Sequence, residues 1–194
     1  MPPSSRPPRR PTASSSGNIE DYRWLVSSDA VPYLDQAADT SNGSLIKTTL
    51  SLRKELGPPR THLVIAQTEL RKRAKVKFRQ AEKMFFTRQL LEQATDEQIA
   101  SHKAARIPTG GGVADLCCGI GGDLLAMADR GPLQGVDRDP VAVILAEANC
   151  RALGVENVTL AMADVKGMGV KEFTAWHLDP DRRVEGKRTI RVED

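Results

Sequence analysis

Residues 113–128 read VADLCCGIGGDLLAMA: a short apolar run, a glycine turn, then a helix-like run of leucine and alanine. The period of the pattern changes inside this stretch. Val113 to Cys118 is a strand candidate, Gly119-Ile120-Gly121-Gly122 is the turn, and Leu124 to Arg130 is helical until Gly131 and Pro132 stop it. Moving outward, Leu133 to Val136 reads as a second strand ending in Asp137. Asp139 is placed as an N-cap with Pro140 in the first helical position, and the run Val141 to Leu153 closes at Gly154. Val158 to Met162 is a third strand ending at Asp164, and Phe173 to Leu178 a fourth ending at Asp179 and Pro180. Strands alternating with helices predict parallel βαβ units and an α/β fold with a doubly wound sheet. Only about four strands are found before Asp194, so the sheet is expected to be incomplete.

In such a sheet ligands bind at the carboxyl ends of the strands, and each strand candidate delivers an acid to that edge. The spacing argues against a phosphorylated ligand. Counted from Gly119, the sixth place of a dinucleotide fingerprint is Leu124 rather than glycine, which also disfavours an oxidoreductase, and the Gly-Lys-Ser/Thr of a phosphate loop is missing. What stands instead is Asp115, four residues before Gly119, a carboxylate better matched to an ammonium than to a phosphate. Asp137, sixteen residues after Gly121, is placed to accept from the paired hydroxyls of a ribose. A nucleoside with an amino-acid end and no phosphate satisfies both, and S-adenosylmethionine is that molecule.

The stretches DLCCGIGGDLLAMA at 115–128 and GVDRDP at 135–140 resemble the cofactor-binding half of class I S-adenosylmethionine-dependent methyltransferases. More narrowly, MFFTRQLLEQAT at 84–95, DLCCGIGGD at 115–123 and HLDPDRR at 177–183 are similar to a bacterial group of methyltransferases carrying a THUMP-like domain, and more distantly to trimethylguanosine synthase and other RNA methyltransferases. The resemblance implies a Rossmann-like domain. It also implies that Asp115, Gly119 and Gly121, with Cys117 and Gly122 in the same turn, line the methionine end. Asp137, followed by Arg138, would then hold the ribose, and Asp164 would face the adenine amino group. Asp179 and Pro180 occupy the place of the acceptor motif, with Asp179 accepting or orienting the nucleophile's hydrogen. The sequence departs from the family here: Asp179-Pro180-Asp181-Arg182-Arg183 lacks the second proline and the aromatic ring that stacks on a base. Arg182 and Arg183 are either an exposed loop pair or a bidentate grip for phosphate or carboxylate.

The 194 residues carry a net charge of +3 and 40% hydrophobic residues, enough for a packed core. No apolar run is long enough to span a membrane, and three cysteines, Cys117, Cys118 and Cys150, give no disulfide framework and no zinc spacing. A cytoplasmic protein without a metal is expected. Three stretches are expected: a disordered tail over 1–17, a helical region over 18–106, and the cofactor-binding domain over 107–194. Within the second, Leu70, Ala74, Phe78, Ala81 and Phe85 fall on one face of an expected helix. Arg71, Lys72, Arg73, Lys75, Lys77, Arg79, Lys83 and Arg88 stand against the single acid Glu82, so this basic helix over 71–88 is either an RNA-binding face or a solvated one. Thr95 and Gln98 read as a capping box opening a helix to about Ala105. His177 is a proton shuttle or a packed edge residue. The expected activity is methyl transfer from S-adenosylmethionine, with RNA as acceptor; the competing expectation is a non-catalytic module that binds the cofactor or RNA.

Overall fold

The computed structural model describes residues 18–39, 45–166 and 168–180, together with the backbone of 183–184 and 187–188. The tail over 1–17, Arg182 and the side chain of Arg183 lie outside the described residues.

Helix α1 (Ile19–Leu25) is capped by Asn18, and α2 (Val31–Ala38) follows a 3-10 turn at Ser28–Ala30. Helix α3 (Leu45–Ala74) carries the helix-breaking Gly57-Pro58-Pro59 sequence inside it, and the chain kinks there. Gly57 adopts φ +71°, and helix resumes at once because prolines near a helix start forfeit N–H groups that have no partner anyway. Thr61 Oγ donates to the Gly57 carbonyl at 2.8 Å and closes the new turn.

The expected basic helix over 71–88 is not one helix. It ends at Ala74, whose carbonyl accepts from the amides of Lys77 and Phe78. Lys77 then turns its ammonium onto the last carbonyls of α4 (Arg88–Gln93) and its flank, reaching Leu91 at 2.9 Å, Glu92 at 3.3 Å and Ala94 at 2.7 Å. Phe78 and Ala81 are buried as the periodicity implied, but from irregular chain and from a short 3-10 helix (Ala81–Lys83) rather than from one face of a continuous α-helix. Helix α5 (Glu97–Ala104) is capped by Asp96, which accepts from Gln98 N at 2.9 Å; Thr95 is not its cap.

Strands β1 (Val113–Leu116), β2 (Leu133–Asp137), β3 (Val158–Met162) and β4 (Ala175–Leu178) form one parallel sheet in the order β3-β2-β1-β4. Helix α6 (Gly122–Ala126) joins β1 to β2 and is shorter than the run to Arg130 suggested, while α7 (Pro140–Ala152) joins β2 to β3 and starts at the expected Asp139 cap. The short antiparallel strands β5 (Arg183–Val184) and β6 (Lys187–Arg188) follow.

Alternation along β1 sorts the core. Val113 packs with Leu124, Met127, Leu133, Cys150 and Ala104 under the helices. Ala114 and Leu116 join Val136 on the other face, covered by Val165, Met168, Val170 and Phe173 of the connection to β4. The helical region closes a third cluster with Val141 and Leu145 of α7 and with Ile120 of the glycine turn. Burying these side chains at about 25 cal/mol per Å² is the main force holding the helical region to the sheet.

Candidate functional site

The turn after β1 is built against the usual backbone preference of L-residues. Cys117 takes φ +72°, Gly119 +55° and Gly121 +84°, and a left-handed non-glycine such as Cys117 costs about 1–3 kcal/mol. The strained stretch is held by its neighbours. The amides of Cys117 and Cys118 both donate to the Val136 carbonyl, at 2.8 and 2.9 Å, and Gly121 N donates to Cys118 O at 2.8 Å. Behind the turn a Cβ on Gly122 would meet the Phe78 ring at 3.6 Å and one on Gly121 would meet Ala146 at 3.5 Å, ordinary packing distances, so at Gly121 it is the left-handed backbone rather than space that favours glycine.

Asp137, at the end of β2, fastens this turn. Its Oδ2 accepts from Gly119 N at 2.9 Å and its Oδ1 from Asp139 N at 2.9 Å. Each carboxylate oxygen keeps a second lone pair, and the side chain is only half-buried, so acceptor capacity remains toward solvent.

Asp115 is the buried acid of the site. It is 2% exposed, and its Oδ2 has no hydrogen-bond partner among the described residues. Burial pushes its carboxyl up to about 8, with further push from Asp123, against a partial pull from Lys103. In register it stands beside Gly135 of β2 and His177 of β4. Above it Asp123, in the first turn of α6, accepts from Thr95 Oγ at 2.7 Å, and Lys103 Nζ lies 3.1 Å from Asp123 Oδ1. Lys103 also lies 3.7 Å from Asp179 Oδ2, and His177 Nε2 lies 3.7 Å from Asp123 Oδ2. Asp123, His177 and Asp179 thus offer three ligand atoms within 4.8 Å of one another, with the Lys103 ammonium among them.

The sequence reading missed Thr95, Lys103 and Asp123 as members of this cluster. Asp123 had a signal, a carboxylate directly after the paired glycines. Thr95 was masked by its resemblance to a cap, and Lys103 by lying on a helix distant in sequence.

The remaining candidate residues and the other cysteines lie outside this cluster. Cys117 is half-buried, and its thiol is raised by burial and then by Asp137 and Asp115, so it is a weak nucleophile. Cys118 and Cys150 are buried and free, with Cys150 pushed up to about 11. Arg138 is exposed. Asp164 lies two residues past β3, exposed, its Oδ1 accepting from Lys166 N at 2.9 Å. Asp179 and Pro180 are exposed immediately after β4. A cleft of about 510 Å³ runs beside β4, lined by Lys103, Asp123, Met127, Trp176 and His177 among others.

The basic run is spent only in part on the fold. Arg71 donates to Met84 O at 2.9 Å and stacks on Phe85, while Arg73, Arg79 and Arg88 pair with Glu92 and Glu97. Lys72 and Lys75 are exposed. Among the described residues no helix is long and apolar enough to cross a membrane.

No protein-family model matches the chain. It is 36% identical over 110 residues to an uncharacterized S-adenosylmethionine-dependent methyltransferase of Mycobacterium tuberculosis, found alike in strains CDC 1551 / Oshkosh and H37Rv. The match takes in 56% of this chain and 30% of the relative, so the chain spans under a third of the length of the curated relatives it matches. The crystal structure of a presumed methyltransferase from Porphyromonas gingivalis W83 is similar to 76% of this chain and 35% of its own, with a TM-score of 0.55 and 24% identity. That likeness is one of fold, and it agrees with the Rossmann-like α/β sheet expected from the sequence.

Proposed function

We propose that the chain binds S-adenosylmethionine at the carboxyl edge of its sheet and takes part in transferring the methyl group to an acceptor. The observation that carries this reading is the pair of acids beside the glycine turn, one in β1 just before it and one at the end of β2 bonded to its first glycine. Asp115 presents a buried, unpartnered carboxyl oxygen, and Asp137 presents a half-exposed carboxylate already locked to the turn's backbone. The residues fit the cofactor. An ammonium approaching Asp115 supplies the missing partner and draws the carboxyl back to its charged form. Asp137 keeps lone pairs for two hydroxyl hydrogens, and Asp164 is an exposed acceptor at the next strand end, suited to an exocyclic amine. The turn's glycines let a ligand reach the backbone where a Cβ would intrude.

When bound, the cofactor supplies an electrophilic methyl on a sulfonium. This chain's own residues bind and orient. Asp115 and Asp137 fix the two ends of the ligand, Asp179 takes up or orients the hydrogen of the incoming nucleophile, and the Pro180 position holds that acid at the end of β4. Alignment of the reacting atoms is the main catalytic contribution such a site makes.

RNA is the acceptor class we favour. It is supported by the exposed Lys72 and Lys75 and by Arg73, Arg79 and Arg88, whose ion pairs at the surface are weak enough to be exchanged for phosphates. The narrower likeness to the THUMP-like-domain group and a cytoplasmic location belong to the same proposal.

Titration calorimetry tests the cofactor: binding of S-adenosylmethionine and not of NAD is expected, with a loss on Asp137→Ala in a chain that still folds. A folded chain that takes up no S-adenosylmethionine ends the proposal. Labelled methyl transfer to total RNA tests the acceptor, and binding without any transfer points to a non-catalytic module.

A further inference from the structure

The segment Met84–Thr87 lies between α3 and α4 and belongs to no helix or strand, yet Met84 and Phe86 are 1% and 0% exposed. A backbone so placed needs partners, and two buried carboxamides supply them. Gln67 of α3 serves Phe86: Oε1 accepts from Phe86 N at 3.0 Å, and Nε2 donates to Phe86 O at 2.5 Å. Asn149 of α7 serves Phe85 in the same way: Oδ1 accepts from Phe85 N at 2.7 Å, and Nδ2 donates to Phe85 O at 3.2 Å. Only Asn149 goes further. Its second amide hydrogen reaches Ile120 O at 3.0 Å, inside the glycine turn, and the residue is 0% exposed.

We propose that Asn149 is a positioning residue for the cofactor turn, pinning the Ile120–Gly121 peptide to the 84–87 segment so that the turn is ordered before a ligand arrives. The inference rests on the reading of that turn as an S-adenosylmethionine site. A turn with glycine at 119, 121 and 122 has wide conformational freedom, and ordering it during binding costs affinity. Fixing one central carbonyl from behind removes much of that freedom while leaving the ligand side open. The geometry needs one acceptor and two donors at a single short reach. Aspartate has no such donors, and glutamine is one methylene too long.

Gln67 provides the control, since Gln67→Ala breaks the same pair of bonds to the segment without touching the turn. Urea unfolding should show both Asn149→Ala and Gln67→Ala to be less stable than the parent. Calorimetry should show S-adenosylmethionine binding weakened about tenfold in Asn149→Ala and within about twofold of the parent in Gln67→Ala. Equal losses in the two variants, or none in Asn149→Ala, overturn the assignment. A parent chain that does not bind S-adenosylmethionine overturns the cofactor reading instead, so the two failures are separable. Should Asn149→Ala not fold, residue-resolved amide exchange on the parent decides. Adding S-adenosylmethionine should slow exchange at Phe85 together with the glycine turn and leave Phe86 nearly unchanged, whereas an unaffected Phe85 rejects the coupling.

Discussion

Asp137 Oδ2 accepts the backbone amide of Gly119 at 2.9 Å, so the end of the second strand holds the turn that follows the first. The same side chain accepts from Asp139 N, which sets the start of α7. One carboxylate therefore shapes both loops that face the candidate ligand.

Removing that carboxylate should be felt in the ligand-free chain. Asp137→Ala leaves two amides without acceptors and should destabilise folding by about 1–3 kcal/mol, with Asp137→Asn intermediate because one carbonyl oxygen survives. Chemical denaturation of the three chains gives the order, and an Asn variant no better than Ala would contradict it.

Stability should fall as pH rises through the range set by Asp115. Its carboxyl is pushed up to about 8 in the folded chain from an ordinary value of 3.8, so the folded state holds a proton that the unfolded state releases. Its contribution is intact below about pH 4 and is lost progressively toward pH 8, at a slope of up to about 1.4 kcal/mol per pH unit. Asp115→Asn removes the titration. Urea unfolding at pH 5 and pH 8 should show the Asn variant gaining on the parent at the higher pH; a constant difference between the two chains counts against the buried neutral acid.

Thr95 and Asp96 should separate cleanly by role. Asp96→Ala removes the cap of α5 and should cost about 1 kcal/mol regardless of Asp123. Thr95→Val removes the 2.7 Å bond to Asp123, so its cost should shrink when Asp123 is already Ala. A double-mutant cycle in Thr95 and Asp123 should return a coupling of about 1 kcal/mol, and additivity would mean the contact carries no energy.

The basic run should divide into two classes. Lys77→Met strips the ammonium from three carbonyls at the end of α4 and should lower stability by about 1–2 kcal/mol. Lys72→Gln with Lys75→Gln should leave stability nearly unchanged and reduce the salt dependence of RNA binding, as measured by filter retention. If the paired change leaves RNA retention unaltered at every salt concentration, this face is not the one that meets RNA.

The parallel sheet was legible because its signals are local: the glycines at 119–122, the Asp139-Pro140 cap and the apolar runs each report on a few neighbouring residues. The edge positions of Asp115, Asp137 and Asp164 followed from counting along strands. What was not legible depends on contacts distant in sequence. The segment after Ala74 keeps a helical spacing of apolar residues, but Lys77 finds carbonyls fourteen to seventeen positions on and the chain turns instead. Thr95 has the sequence context of a cap, yet a carboxylate twenty-eight positions later takes its hydroxyl. Asn149 carried no signal beyond being a polar residue in an apolar helix, and its partners lie sixty-four and twenty-nine positions away.

The outer position of β4 has a practical meaning for anyone handling the chain. Among the described residues it pairs only with β1, and Trp176 and Leu178 are 52% and 44% exposed. A strand that offers ladder groups and two large apolar side chains to water invites a second molecule to add on, so crowded solutions of this chain favour precipitates and dilute ones favour monomers.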